Sequence, residues 1–274
     1  MSDLQYMIYE KDENIGVITL NRPETRNAQH EPFLRDLDAA YRLGEEDEEV
    51  KVIVLKANGP HFSSGHDLGT PESRSYREKH PIKPGVEGRY RWESKFYLGL
   101  TRRWRDIPKP TIAAVQGYCI AGGLMLCWPC DIIIAADNAK FSDPVVRMGI
   151  GGVEYFAHPW EFGARKAKEL LFTGEFIDAE EAHRLGMVNK VVPLDSLIDE
   201  TMAMARKIAE MPAFALALTK QAVNQTMDAM GQRNAMEAVF TMHQLAHAHS
   251  ELSGGSAVMG MDAKRMKAAS GLGG

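Results

Sequence analysis

Residues Ile107–Gly123 read IPKPTIAAVQGYCIAGG, and this stretch decides the fold class. Thr111–Val115 is a short apolar run of the kind that forms a buried strand. Gln116 and Gly117 end it, and the Gly122–Gly123 pair permits a tight turn into a following helix. Working outward, Val50–Ala57 (VKVIVLKA), Ile15–Leu20 (IGVITL) and Ile132–Ala136 (IIIAA) read as further strands. Between the first two of the chain, Phe33, Leu34, Leu37, Ala40 and Tyr41 recur at helical spacing, with Pro32 suited to the first turn and Gly44 to the stop. Strands that alternate with helices predict an α/β chain with crossover connections. From about Ala164 the pattern turns helical over Lys166–Leu171, Ala179–Leu185 and Leu197–Ile208, with a short strand at Val188–Val192. The expected layout is an α/β core over 1–195 and a helical region over 196–274. The Gly/Ser-rich pieces Ser253–Ser256 and Ser270–Gly274 read as flexible.

The chain has 274 residues and can bury a full core without covalent staples. Hydrophobic residues at 45% and charged residues at 25% exclude a largely disordered chain. Lys plus Arg is 32 against 37 for Asp plus Glu, a net charge of −5, which argues against nucleic-acid binding. Three cysteines argue against a secreted disulfide scaffold and for a reducing compartment, so a cytoplasmic location is expected. The N-terminus lacks the basic and apolar regions of a signal peptide. The most apolar stretch, Thr111–Ala136, carries Gln116, Pro129, Asp131 and the glycine pair, which speaks against a membrane span.

Gly69–Lys95 is polar and shows no clear periodicity. Its seven Lys and Arg against four Glu make it locally basic in an acidic chain. It reads as a solvated loop, or as a mobile cover over a site for an anionic ligand.

Two glycine turns follow strands. Phe62–Leu68 (FSSGHDL) comes after Val50–Ala57, and Gly117–Gly123 comes after Thr111–Val115. Two N–H groups converging from such turns would form an oxyanion hole, and a helix starting near Gly122 would add its positive dipole end.

On these residues the chain resembles the crotonase superfamily, the enoyl-CoA hydratase/isomerase family. The resemblance is carried by LNRPETRNA at Leu20–Ala28, FSSGHDL, IPKPTIAAVQGYCIAGG and CDIIIAADNAKFSDP at Cys130–Pro144. LLFTGEFIDAEEAHRLGMVNKVV at Leu170–Val192 and LTKQAVN at Leu218–Asn224 extend it through most of the chain. It implies a ClpP/crotonase-like α/β fold of repeated ββα units, a C-terminal helical trimerisation region, and a homotrimer or a hexamer of paired trimers. It implies an acyl-CoA thioester as substrate, with CoA as part of that substrate and no separate cofactor or metal. The thioester oxygen would lie between the N–H groups of His66 and Gly122. CoA would be held near Arg26, Ala28, Ser64, Asp67 and Leu68. Hydratases of the family place one glutamate two residues after the Gly-Gly pair and another after the Pro of the FxxP stretch. Here those positions are Met125 and Val145. Neither side chain can transfer a proton, so at these two positions the chain departs from the two-glutamate pattern.

Glu154 follows the glycine-rich Gly149–Gly152 turn and is the candidate replacement acid or base; its other reading is a surface or capping carboxylate. Apolar neighbours at Val153, Tyr155 and Phe156 would raise its pKa towards neutrality. His158, four residues on, would share a helix face with it. Enoyl-CoA hydration or double-bond migration is the leading expectation. Decarboxylation or C–C cleavage through Glu154 or His158, and a non-catalytic acyl-CoA-binding protein, are the alternatives. Asp67 reads chiefly as a turn-forming carboxylate. Cys127-Trp128-Pro129-Cys130 resembles a redox CxxC but lies in an apolar run, not at an exposed helix start. His243, His247 and His249 lack a carboxylate at a matching ligand spacing, so a solvated or interface helix is expected there. Met236, Val239, Phe240, Met242 and Leu245 are expected to form an apolar interface face.

Overall fold

The computed structural model describes residues 4–259 and residue 265; the expectation for Ser270–Gly274 lies outside them. The first part of the chain runs β1 (Met7–Asp12), β2 (Ile15–Leu20), α1 (Glu31–Glu46), β3 (Val52–Ala57), α2 (Pro71–Lys79), α3 (Gly85–Glu93) and α4 (Leu100–Arg105). Then come β4 (Thr111–Val115), β5 (Tyr118–Ile120), α5 (Leu124–Cys127), β6 (Ile132–Ala136), β7 (Lys140–Ser142), α6 (His158–Thr173), β8 (Ile177–Asp178), α7 (Ala179–Leu185) and β9 (Lys190–Val192). The chain closes on α8 (Leu197–Ala209), α9 (Ala213–Ala229) and α10 (Gln232–Gly254).

The main sheet has the order β1-β2-β3-β4-β6-β9; β1 is antiparallel to β2, and all other neighbours are parallel. A small sheet, β5-β7-β8, sits beside it. The alternation of side chains along a strand assigns the two faces. Ile53 and Leu55 of β3, Ala113 and Val115 of β4, and Ile133 and Ala135 of β6 enter the larger core beneath α1. Val52 and Val54, Ile112 and Ala114, and Ile134 and Ala136 face the other way. Leu197 and Ala205 of α8 cover that second face. Thus the first helix of the 196–274 region completes the sheet's own core. Met236 and Phe240 of α10 likewise lie in the larger core of their own chain, leaving Met242 and Leu245 exposed. Ser253 and Gly254 continue α10, which Gly255 ends in the left-handed conformation, so the flexible reading of that piece is corrected.

Gly69–Lys95 is also corrected. It forms α2 and α3, not a loop. Helix α3 runs without a break through a π-helical stretch, Ser94–Gly99, into α4. The buried carboxylate of Glu31 on α1 ties this arm down: it accepts from the Trp92 indole at 2.8 Å and from Arg35, and Tyr76 reaches it from α2. Much of the basic excess is spent locally, with Arg77 over the Trp92 ring and Arg89 paired to Glu251. The three cysteines are free and buried. Burial pushes the Cys130 thiol up to about 12 and Cys127 well above its usual value, so the CxxC is packing and not redox chemistry. No helix among the described residues is long and apolar enough to cross a membrane.

One half-buried acid is a stability liability. Glu161, in the first turn of α6, has no ion-pair partner among the described residues, and burial alone pushes its pKa up to about 8. The unfolded chain sheds this proton near 4.5, so the folded form loses stability as pH rises from there through 8. Glu161→Gln should therefore raise Tm at pH 9 by roughly 5 °C, with little change at pH 4, measured by thermal melts across that range.

Candidate active site

The loops that leave the C-terminal ends of β3 and β4 meet, which is where open α/β sheets place their ligands. Ser63 and Cys119 form a parallel bridge, as do Gln29 and His66. In the second bridge, Gln29 N–H donates to Gly65 O at 2.8 Å and Asp67 N–H donates to Gln29 O at 2.8 Å. His66 therefore turns its own N–H to the opposite side, towards Gly122. A Cβ built on Gly122 would lie 3.1 Å from His66 N and 2.6 Å from the Nδ1 and Cε1 of its ring. Only glycine allows that approach. Gly122 itself stands in the first turn of a 3-10 segment, Ala121–Gly123, where N–H groups have no intrahelical acceptor. The two turns that carry His66 and Gly122 are brought into contact.

The surrounding backbone is held in rarely used conformations. Arg26, Asn27 and Ala121 all have positive φ, at 57°, 52° and 48°. Asn27 fixes its turn by accepting from Arg22 N–H and donating to the carbonyls of Asn58 and His61. Ser64 N–H donates to Arg26 O at 2.9 Å, joining the two expected CoA-contacting strips, and Ala28 is buried between them. Leu68 is exposed at their edge. The Arg26 guanidinium makes no ion pair among the described residues. The Asp67 carboxylate is committed to the fold. It accepts from Gly69 N–H, from the Thr70 N–H and hydroxyl, and from Arg22, which is buried with it at 2.8 Å. Burial opposes its charge, but these donors hold its pKa below the usual carboxylate range.

His66 also sends its side chain into the site. Its ring stacks on Tyr97 with centroids 3.7 Å apart, and its Nε2 lies 3.1 Å from Glu154 Oε2. Tyr97 comes from the π-helical stretch, an insertion that re-aims side chains and is frequent at functional sites. Glu154 is not a surface carboxylate; its side chain is 3% exposed. It precedes α6, which starts at His158, so the two do not share a helix face. His158 instead pairs with buried Asp143 at 2.9 Å, packed against Trp128 and Phe156. The expected rise in the Glu154 pKa is also corrected. Burial does push it up, but His66 and His243 face the two carboxylate oxygens and hold it well below the ordinary range. It is an anion that orients imidazoles.

That anion fixes the tautomer of His66. A carboxylate only accepts, so Nε2 carries a proton, and in the neutral imidazole that leaves Nδ1 as the acceptor. His66 Nδ1 is buried without a partner among the described residues, beside the N–H pair. An imidazole nitrogen beside backbone N–H groups is the kind of arrangement that proton transfer next to an oxyanion uses. Met125, buried in α5, and Val145, in the turn after Pro144, contribute only apolar surface to the larger core.

His243 and His247 are not solvated. They point inward from α10 and meet Glu93 at the end of α3, while His249 stays exposed. Burial lowers the basicity of His243, but Glu154 and Glu93 outweigh it and push its pKa up to about 10. Tyr97 and Glu93 were not among the candidates from sequence, and the histidine pair was set aside there for want of a carboxylate at ligand spacing. The carboxylate missing from the His spacing comes from a helix some 150 residues away in the chain, as the Gln244–Glu93 bond at a separation of 151 marks.

The sequence model of the enoyl-CoA hydratase/isomerase family matches residues 10–267. EchA13 of Mycobacterium tuberculosis, a protein named as an enoyl-CoA hydratase, is 48% identical over 268 residues, covering 92% of this chain and 84% of that one. The short-chain-enoyl-CoA hydratase of Clostridium acetobutylicum is 35% identical, over 82% of this chain and 83% of that one. A crystal structure described as a probable enoyl-CoA hydratase of Mycobacterium smegmatis superposes with a TM-score of 0.88 at 52% identity, covering 94% of this chain and all of that one.

Proposed function

The chain belongs to the enoyl-CoA hydratase/isomerase family, and from that premise we propose that it moves protons at the acyl carbons of an enoyl-CoA thioester, with the His66–Glu154 dyad in place of the glutamate pair. The thioester oxygen accepts from the N–H groups of His66 and Gly122, which stabilise the enolate-like anion. The His66 Nδ1 lone pair takes or returns the proton. Glu154 holds the opposite nitrogen and balances the imidazolium that forms. Catalysis falls to this dyad because Met125 and Val145 have no titratable group. The observation that carries the reading is the buried His66 Nδ1 beside Gly122, which has no partner among the described residues. Proton transfer of this kind draws on no redox or metal cofactor. CoA phosphates would meet Arg26, and Ser64, Ala28 and Leu68 would border the pantetheine.

The test is Cα–H exchange of acyl-CoAs in D2O, followed by mass spectrometry, beside turnover of a panel of 2- and 3-enoyl-CoAs. Exchange or turnover that is lost with His66 supports the reading. Tight acyl-CoA binding with neither exchange nor turnover overturns it in favour of a non-catalytic binding protein.

We also infer a homotrimer or a pair of trimers. Phe214 at 74% exposure and Leu252 at 88%, with Met242, Leu245 and Val223, are apolar surface that the monomer leaves open. Light scattering at micromolar protein should read a multiple of three times 30.5 kDa, and a monomer would contradict the assembly.

A further inference from the structure

Glu93, His243 and His247 present one ligand atom each within 4.8 Å of one another. We propose that these three residues form a binding site for a zinc-like divalent cation, with Glu154 at its border. His243 and His247 are one helical turn apart on α10, so both rings leave the same face. Their Nε2 atoms face each other at 3.1 Å. The Glu93 oxygens stand 3.5 Å from His243 Nε2 and 3.9 Å from His247 Nε2. Glu154 Oε1 is 3.4 Å from His243 Nε2. A tetrahedral ion with bonds of about 2.0–2.1 Å has ligand–ligand edges of about 3.3–3.4 Å, close to these separations.

The surroundings match what ligating groups need. Each imidazole donates its Nδ1–H to a backbone carbonyl, His243 to Gly152 O at 2.8 Å and His247 to Ala257 O at 2.7 Å. That turns both Nε2 atoms inward, the orientation that outer hydrogen bonds impose on metal-bound histidine. The Gln244 amide donates to Glu93 Oε2 and fixes the carboxylate. His247 keeps 12% of its side chain exposed and gives an ion its way in. Two imidazoles and carboxylate oxygens suit zinc or cobalt better than magnesium or calcium, which take all-oxygen shells. An ion here would pin α10 to α3 and to the Gly152–Glu154 turn. It is a fastener behind the His66–Glu154 dyad and does not touch the thioester, so the inference stands or falls apart from the proposed reaction.

The experiment uses the full chain, stripped with a chelator and dialysed, then titrated with Co2+ and with Zn2+. One Co2+ per chain with the intense visible bands of tetrahedral coordination is expected, displaced by one equivalent of Zn2+. Tm should rise by several degrees with Zn2+. His247→Gln, at the exposed edge of the cluster, and Glu93→Gln should each weaken Zn2+ affinity at least tenfold, consistent with a lost ligand. Circular dichroism and metal-free Tm verify that each variant folds; if Glu93→Gln does not fold, His247→Gln alone decides. No stoichiometric binding, octahedral Co2+ spectra, or full affinity in folded His247→Gln would each overturn the site.

Discussion

His66→Ala is expected to lower kcat on the best enoyl-CoA by about 10²–10⁴-fold, with KM changed far less. The variant keeps the N–H of residue 66 and therefore the hole donor; it loses only the imidazole. Glu154→Gln should cost less, about tenfold to 10²-fold, because glutamine can still accept from Nε2 but no longer balances an imidazolium. In the proposed dyad Glu154 acts through His66, 3.1 Å away, so the effects should not add. His66→Ala combined with Glu154→Gln should match His66→Ala alone, in steady-state kinetics with melting curves as controls. Additive losses would mean that Glu154 reaches the substrate by itself. Full activity in His66→Ala would end the dyad reading.

The fold was legible because its strands carry their own period. Ile53 and Leu55 against Val52 and Val54 announce two buried faces, and glycines mark where each strand stops. The meeting of the two turns was legible for a related reason: turns leave glycines behind, and each follows a strand of the same sheet. Side-chain chemistry leaves no such local trace. Glu154 stood out only by its place after a glycine-rich turn, and its apolar sequence neighbours pointed to the wrong pKa direction. What sets that pKa is His66, 88 residues earlier, and His243, 89 residues later. The arm of α2 and α3 was missed because its polar outer face hides the periodicity, while its anchors, Glu31, Arg22 and Glu251, lie far away in the sequence. Tyr97 was hidden by the π-helical stretch, which breaks the 3.6-residue register that a helical reading assumes.

Arg22→Met is expected to destabilise the fold by about 3–5 kcal/mol, because it strands a buried carboxylate. Arg22 and Asp67 are each 1% exposed and pair at 2.8 Å. The same guanidinium reaches Ala28 O, Thr70 and Glu72, tying the Arg22–Ala28 strip to the chain that follows His66. Met fills the volume of the stem but returns none of these bonds. At about 2–4 °C per kcal/mol for a domain of this size, the loss amounts to a drop in Tm of roughly 10 °C. Asp67→Asn in the same chain removes the stranded charge and should recover at least half of it, since replacing both partners of a buried pair is far milder than removing one. The wild-type pair contributes fully above the ordinary carboxylate range and loses that contribution as pH falls through the lowered Asp67 pKa. The double variant should therefore melt with a flatter acid limb than wild type. Because Asp67 follows the donor N–H of His66, Arg22→Met should also lower kcat at temperatures where it remains folded. Unchanged turnover there would mean that the His66–Gly122 pair is held by the Gln29 and Ser63 bridges alone.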